Sequence, residues 1–267
     1  MDATPIIEVI SVEKTFPNGF RGLEPVDLTV QPGEFLTLIG PSGCGKSTLL
    51  GMMTNLLAPS KGTLKWWGGG FEQTGTPGKS LSIVFQDATL MPWATVQANV
   101  RLPLDLARTP RKESNARALA ALAKVGLAGF EDRLPHHLSG GMRMRVSIAR
   151  SLVTEPDLLL MDEPFGALDE FTRNKLDSEL LELWGERNLS IVFVTHSIYE
   201  AVFLSTRVVV MAARPGRISR IIDIDAPCPR DEEFRASPRF AALCAELSRA
   251  LRDATEESGQ IAGAAPR

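Results

Sequence analysis

The densest chemistry in the sequence lies at Gly40-Pro41-Ser42-Gly43-Cys44-Gly45-Lys46-Ser47-Thr48. This stretch matches G-x-x-x-x-G-K-[ST] between an apolar run and a helix-like segment, the context that a phosphate-cradling loop requires. Glycines at 40, 43 and 45 let the backbone wrap closely, so that successive N–H groups point at phosphate oxygens. The helix that follows presents its positive end to the same anion. Lys46 can reach the β- and γ-phosphates of a triphosphate, and the Ser47 hydroxyl can ligate Mg²⁺. Cys44 reads as a small loop residue with its backbone in use rather than as a redox thiol. A second element, Leu158-Leu159-Leu160-Met161-Asp162-Glu163, is an apolar strand that carries two carboxylates to its C-terminal end, where α/β sheets bind ligands. Asp162 suits Mg²⁺, through water, and Glu163 suits the polarisation of an attacking water. A third, Leu138-Ser139-Gly140-Gly141-Met142, opens a helix. Ser139 is a good N-cap and the glycines beneath it form another anion site, although taken alone the segment reads as an ordinary capped helix.

The elements that must position these groups follow from hydrophobic period. IIEVISVEKTF and PVDLTV alternate apolar and polar residues, as half-buried strands do. FLTLIG, LSIVFQ, Leu158–Met161, Ser190–Thr195 and VVVMAA are nearly continuous apolar runs, the pattern of strands buried on both faces. Helices are expected at KSTLLGMMTNLL, at about 169–187 and through most of 87–153, where Ala116, Leu119, Leu122 and Ala123 form a stripe. Strand–helix alternation of this kind implies an α/β sheet with a helical second lobe. Beyond Pro227-Cys228-Pro229 a helix places Phe240, Leu243, Cys244, Leu247 and Leu251 on one face, and the tail SGQIAGAAPR has the composition of disorder.

With 267 residues and a formal net charge of −3, the chain carries no global basic surface for nucleic acid. Three cysteines without paired spacing argue for a reducing compartment and against a disulfide framework or zinc site. No window of 18 apolar residues and no secretory leader are found, so a cytoplasmic protein is expected.

Taken together, the phosphate loop, the Asp-Glu strand and LSGG resemble ATP-binding-cassette proteins in order and spacing, from about Ile6 to Ile224. The resemblance implies an α/β P-loop NTPase core with an antiparallel β subdomain and an inserted α-helical subdomain. The nucleotide-binding domain would span 1–226, with the helical insertion at about 87–153, and 227–267 would be a C-terminal helical extension and disordered tail. It also implies hydrolysis of ATP with Mg²⁺, in a head-to-tail pair of cassettes where LSGG of one chain closes on the γ-phosphate held by the other. By that resemblance Gln86 is the lid glutamine that senses Mg²⁺, Asp169 communicates across the dimer, and His196 contacts the γ-phosphate and attacking water. Phe16 takes the position of the adenine-stacking aromatic, with Phe20 as the alternative. Trp66 and Trp67 read as packing, and His136 and His137 as polar loop residues. One departure is Met144, where the family usually places a glutamine that orders the composite site by hydrogen bonds, which a thioether cannot donate.

Leu90-Met91-Pro92-Trp93 resembles the subgroup that serves nitrate, sulfonate and taurine uptake. It implies a peripheral subunit on the inner face of the membrane, contacting permease subunits through this lobe and a solute-binding protein indirectly. Trp93 suits either that contact or the core of the helical lobe. A soluble cassette ATPase acting on nucleic acid or ribosomes is the alternative. The single cassette, the absence of a heptad run and the charge balance weigh against it.

Overall fold

The computed structural model describes residues 4–70, 79–187, 189–226 and 230–263. Pro77-Gly78, Pro227-Cys228-Pro229 and the last four residues of the tail lie outside them. Strands β1 (Ile7–Thr15) and β2 (Arg21–Val30), both expected as strands, pair as an antiparallel hairpin, followed by β3 (Phe35–Ile39), helix α1 (Lys46–Met53) and β4 (Lys61–Trp66). Next come β5 (Leu81–Val84), the helical lobe α2 (Val96–Leu106), α3 (Arg111–Lys124) and α4 (Gly140–Leu152), and then β6 (Leu158–Asp162). The chain continues through α5 (Glu170–Arg187), β7 (Ser190–Thr195), α6 (Ile198–Leu204), β8 (Arg207–Ala212), β9 (Arg217–Asp223), α7 (Glu232–Arg235) and α8 (Pro238–Gly263).

Two sheets result. β2-β1-β4 is antiparallel, and a six-stranded sheet has the order β5-β6-β7-β3-β8-β9, parallel except for β9. The apolar runs explain the larger sheet, because alternate side chains on each inner strand enter different cores. Phe35 and Ile39 of β3, Leu159 and Met161 of β6, and Ile191 and Phe193 of β7 face the helices. Leu36 and Leu38, Leu158 and Leu160, and Val192 and Val194 face α1 and the smaller sheet. A strand buried on both faces needs no polar alternation.

Several expectations are corrected. β5 ends at Val84, and only that residue of it is fully buried, because β5 lies at the sheet edge. Phe85 and Gln86 therefore fall in the exposed loop beyond it. On α3 the buried stripe is Ser114, Ala118, Ala121 and Leu122. Ala116, Leu119 and Ala123 face outward, since in an alanine-rich helix several stripes fit the period and only packing selects one. Helix α6, a mostly apolar segment of seven residues, and the charge-studded antiparallel edge strand β9 are short elements that the pattern did not mark. At the C-terminus α8 continues through Gly263, where composition suggested disorder. Its Phe240, Leu243, Leu247, Ala250 and Ala254 belong to the core cluster that includes Phe193, and the Ser258 hydroxyl accepts the Ala213 N–H at 3.0 Å. No helix among the described residues is long and apolar enough to cross a membrane.

Candidate functional site

Strand order determines the site. Because β5, β6, β7 and β3 are adjacent and parallel, their carboxyl ends bring four loops together: Gln86 after β5, Asp162–Glu163 at the end of β6, His196 after β7 and Gly40–Thr48 after β3. Such a row of strand ends is where α/β sheets bind ligands. The loop needs its glycines. A Cβ at Gly40 would lie 2.5 Å from the Met211 carbonyl oxygen and 2.7 Å from Cys44 Sγ. Gly45, the N-cap of α1, has φ 93°, a left-handed geometry that side chains with a Cβ rarely adopt.

Lys46 is only 6% exposed and bends back over the loop, donating from Nζ to the Gly40 carbonyl at 2.9 Å and the Pro41 carbonyl at 3.3 Å. Cys44 is buried at 4.0 Å from that ammonium, and burial pushes its thiol up. Ser42, Gly43 and Ser47 are exposed, with Pro41 and Thr48 half-buried. The Ser47 hydroxyl donates to Asp162 Oδ1 at 3.1 Å. Burial raises the Asp162 carboxyl above its ordinary value, opposed by that hydrogen bond. A hydroxyl and a carboxylate meeting at the mouth of a phosphate loop are hard oxygen donors that fit Mg²⁺, which takes one or two carboxylates together with substrate phosphates.

Glu163 has φ 43°, an unusual conformation for a residue with a Cβ and one that clusters at functional sites. Its Oε2 lies 3.0 Å from His196 Nδ1 and its Oε1 3.9 Å from Lys46 Nζ. The three residues read as catalytic from sequence therefore converge on one carboxylate. Gln86 is exposed in the loop two residues beyond the edge strand β5.

The remaining expected residues lie apart from this group. Ser139 caps α4 by accepting the Met142 N–H at 3.2 Å. Gly141 is buried, and a Cβ there would lie 2.9 Å from Thr172 Cγ2, while Ser139 and Gly140 are exposed. No hydrogen bond or ion pair among the described residues joins Ser139–Gly141 to Gly40–Thr48. Asp169 caps α5, accepting the Thr172 N–H at 3.0 Å and hydroxyl at 2.7 Å; those bonds hold its carboxyl below the usual range. Phe16 is half-buried against Phe20, with ring centroids 6.2 Å apart. It covers Gly22, whose carbonyl oxygen lies 3.2 Å from where a Gly45 Cβ would be, so this aromatic pair borders the phosphate loop. Met144 is buried in the helix-side core, where a thioether packs without an unmet polar group.

Outside the loops, Trp93 is 78% exposed. The turn carrying it is held by Asn99, which was not anticipated. Buried Asn99 accepts the Met91 N–H at 2.7 Å and donates at 3.1 Å to the carbonyls of Met91, Ala94 and Thr95. Arg150 near the end of α4 donates to the Ala88 and Thr89 carbonyls at 2.9 Å, tying the LSGG helix to the segment after Gln86. A T-x-x-x-N pattern at the start of α2 was the available signal for Asn99; nothing local marked Arg150.

Comparison with known proteins agrees with this geometry. Residues 23–166 match the ABC transporter family model. The chain is 44% identical over 242 residues to the taurine import ATP-binding protein TauB of Rhizobium johnstonii, covering 89% of this chain and 91% of that one. It is 43% identical over 249 residues to the bicarbonate transport ATP-binding protein CmpC of Synechococcus elongatus, covering 90% of this chain and 37% of that longer protein. Among solved structures, CbiO1 from Clostridium perfringens, part of an ABC transporter complex, superposes with TM-score 0.75 at 29% identity over 83% of this chain and 89% of that one. The cassette MJ0796, solved as a dimer in a post-hydrolysis state with ADP and Pi, superposes with TM-score 0.73 at 31% identity, over 83% of this chain and 100% of that one. With a phosphate loop, a paired Asp-Glu strand end and a histidine on the glutamate, all within the matched fold, the chain belongs to the ABC transporter family as an ATP-binding, ATP-hydrolysing subunit.

Proposed function

We propose that this subunit energises an importer of nitrate, sulfonates, taurine or a similar small solute, from the cytoplasmic face of the membrane. The observation that carries the transport reading is the exposed Trp93, held on an ordered turn by Asn99 beside the Gln86 loop. An exposed aromatic flanked by Met91 and Pro92 suits a protein interface, and the permease is its proposed partner. The similarity to taurine and bicarbonate transport subunits supports the class of solute. A solute-binding protein would act through the permease, without touching this chain.

In the proposed mechanism Glu163 deprotonates water in line with the γ-phosphate, and His196 holds the Glu163 carboxylate through Nδ1. Lys46 leaves the Gly40 and Pro41 carbonyls for the phosphates. With the loop amides it stabilises the charge that develops. Ser47 and Asp162, with Gln86 at the same mouth, would hold Mg²⁺, which when bound would supply positive charge against the phosphates. Phe16 would stack on the adenine. Ser139, Gly140 and Gly141 serve the site of a second copy of the chain, with Asp169 linking the two, which accounts for their separation from Gly40–Thr48 here.

Two measurements test the proposal. Specific ATPase activity should rise with protein concentration until dimers saturate; specific activity independent of dilution down to monomer would overturn the shared site. Tagged protein should co-purify with permease subunits, and recovery with ribosomes or DNA instead would overturn the transport reading.

A further inference from the structure

Ser197-Ile198-Tyr199-Glu200 has the S-x-x-E form of a helix capping box, in which the glutamate reaches back to the N–H of the capping serine. The structure departs from that form. Ser197 does cap α6, accepting the Glu200 N–H at 3.3 Å. Its own N–H, however, goes to the Thr195 hydroxyl at 2.9 Å. The Glu200 carboxylate is released from capping, and it is 4% exposed rather than at the surface. One oxygen, Oε2, accepts the Thr195 hydroxyl. The other, Oε1, faces Arg173 Nε of α5 at 3.5 Å.

Each arm reaches a loop of the catalytic site. Thr195 and Ser197 flank His196, so the chain of bonds from Glu200 to the Thr195 hydroxyl to the Ser197 N–H clamps the turn that aims the imidazole at Glu163. On the other side Arg173 Nη2 donates to the Leu168 carbonyl at 2.8 Å, immediately before Asp169. A buried carboxylate is costly to desolvate, and α6 is already capped by Ser197 without it. We infer that Glu200 is a positioning residue for ATP hydrolysis, clamping the His196 turn through Thr195 and tying it through Arg173 to the Leu168–Asp169 loop. This rests on the roles proposed above for His196 and Asp169. Glu200 touches neither nucleotide nor water in this scheme. Its removal should slow the chemical step without weakening the capture of ATP.

The experiment uses the full chain at dimer-saturating concentration and compares Glu200→Gln, His196→Ala, the double variant and Asp177→Asn. Asp177 supplies the control. It lies one turn along α5 from Arg173, wholly buried and paired with Arg235 of α7 at 3.2 Å. Burial, with Glu200 nearby, pushes its carboxyl up to about 8, so asparagine is a close substitute. Glu200→Gln should lower kcat about tenfold with KM for ATP unchanged, because an amide can accept from Thr195 but cannot pair with a guanidinium as a carboxylate does. Asp177→Asn should leave kcat unchanged. In single-turnover assays the double variant should be no slower than His196→Ala.

Unchanged kcat in folded Glu200→Gln would overturn the inference. So would an equal loss in Asp177→Asn, or a further tenfold loss on top of His196→Ala. If Glu200→Gln does not fold, Thr195→Val tests the same arm, and unchanged kcat there overturns it equally. A fully active His196→Ala would instead remove the histidine from the proposed mechanism, and with it this clamp's target. A slow His196→Ala beside an unimpaired Glu200→Gln would sink only the clamp.

Discussion

Glu163→Gln should lower kcat by roughly 100-fold or more, the usual scale for loss of a positioned general base, while ATP binding persists. The geometry separates the two effects. Glu163 Oε2 is 3.0 Å from His196 Nδ1, and Oε1 is 3.9 Å from Lys46 Nζ. The amide of glutamine has the same shape and its oxygen can still meet the histidine, so the loop and its left-handed turn at φ 43° have no reason to move. What disappears is the capacity to take a proton from water. A negative charge facing a polyanionic ligand disappears too, so affinity for ATP should hold or rise. Measured by steady-state turnover and equilibrium binding of ATP, full activity in this variant would remove Glu163 from its role. Lost binding would mean that its contribution is to the loop and not to the chemistry.

Lys46→Ala should act on the other side of that division, weakening ATP binding itself. Lys46 is almost wholly buried, and its ammonium is satisfied by two carbonyls of its own loop. Those carbonyls hold the charge at the loop mouth before any anion arrives. Hydrogen bonds to charged groups contribute about 1.5–3 kcal/mol, which corresponds to roughly 10- to 150-fold in affinity. Turnover should fall further than binding, since negative charge builds on the departing β-phosphate as its bond to the γ-phosphoryl group breaks, and Lys46 can reach both phosphates. Lys46→Arg should not restore function, because the planar guanidinium is larger and cannot repeat the bend onto Gly40 and Pro41. Calorimetric titration with ATP provides the check. Affinity unchanged in Lys46→Ala would exclude the lysine from phosphate contact.

The two variants act within one small cluster, yet its members come from distant parts of the chain. Most of these candidates were read from the sequence for a local reason. Gly40–Thr48 has the spacing of a phosphate loop and Asp162–Glu163 ends an uninterrupted apolar strand, whereas His196 was singled out only through the family resemblance. Backbone needs and hydrophobic period are local properties, so they survive in a one-dimensional reading. The same holds for the Ser139 cap and for the buried strands β3, β6 and β7, whose side chains enter a core on either face.

Other features depended on what lies beside what. The order β5-β6-β7-β3 is a matter of long-range pairing, and it brings the loops that carry Gln86, Glu163, His196 and Lys46 to one end of the sheet. An edge position left LSIVFQ a short, half-exposed strand, though its apolar run resembles those of the inner strands. On α3 the alanines allowed several faces, and contact with the lobe selected Ala118, Ala121 and Leu122. The tail's small polar residues suggested disorder until β8 and α6 supplied a surface for α8, which runs through Gly263. Glu200 is the clearest case. Its local pattern describes a helix cap, and only the fold turns its carboxylate inward to Thr195 and Arg173. By itself, then, the sequence determined which groups could cradle a triphosphate and activate water, because those demands are met by local backbone and residue type. Tertiary structure decided which of them meet, since strand order and the burial of a charge are set by contacts across the whole chain.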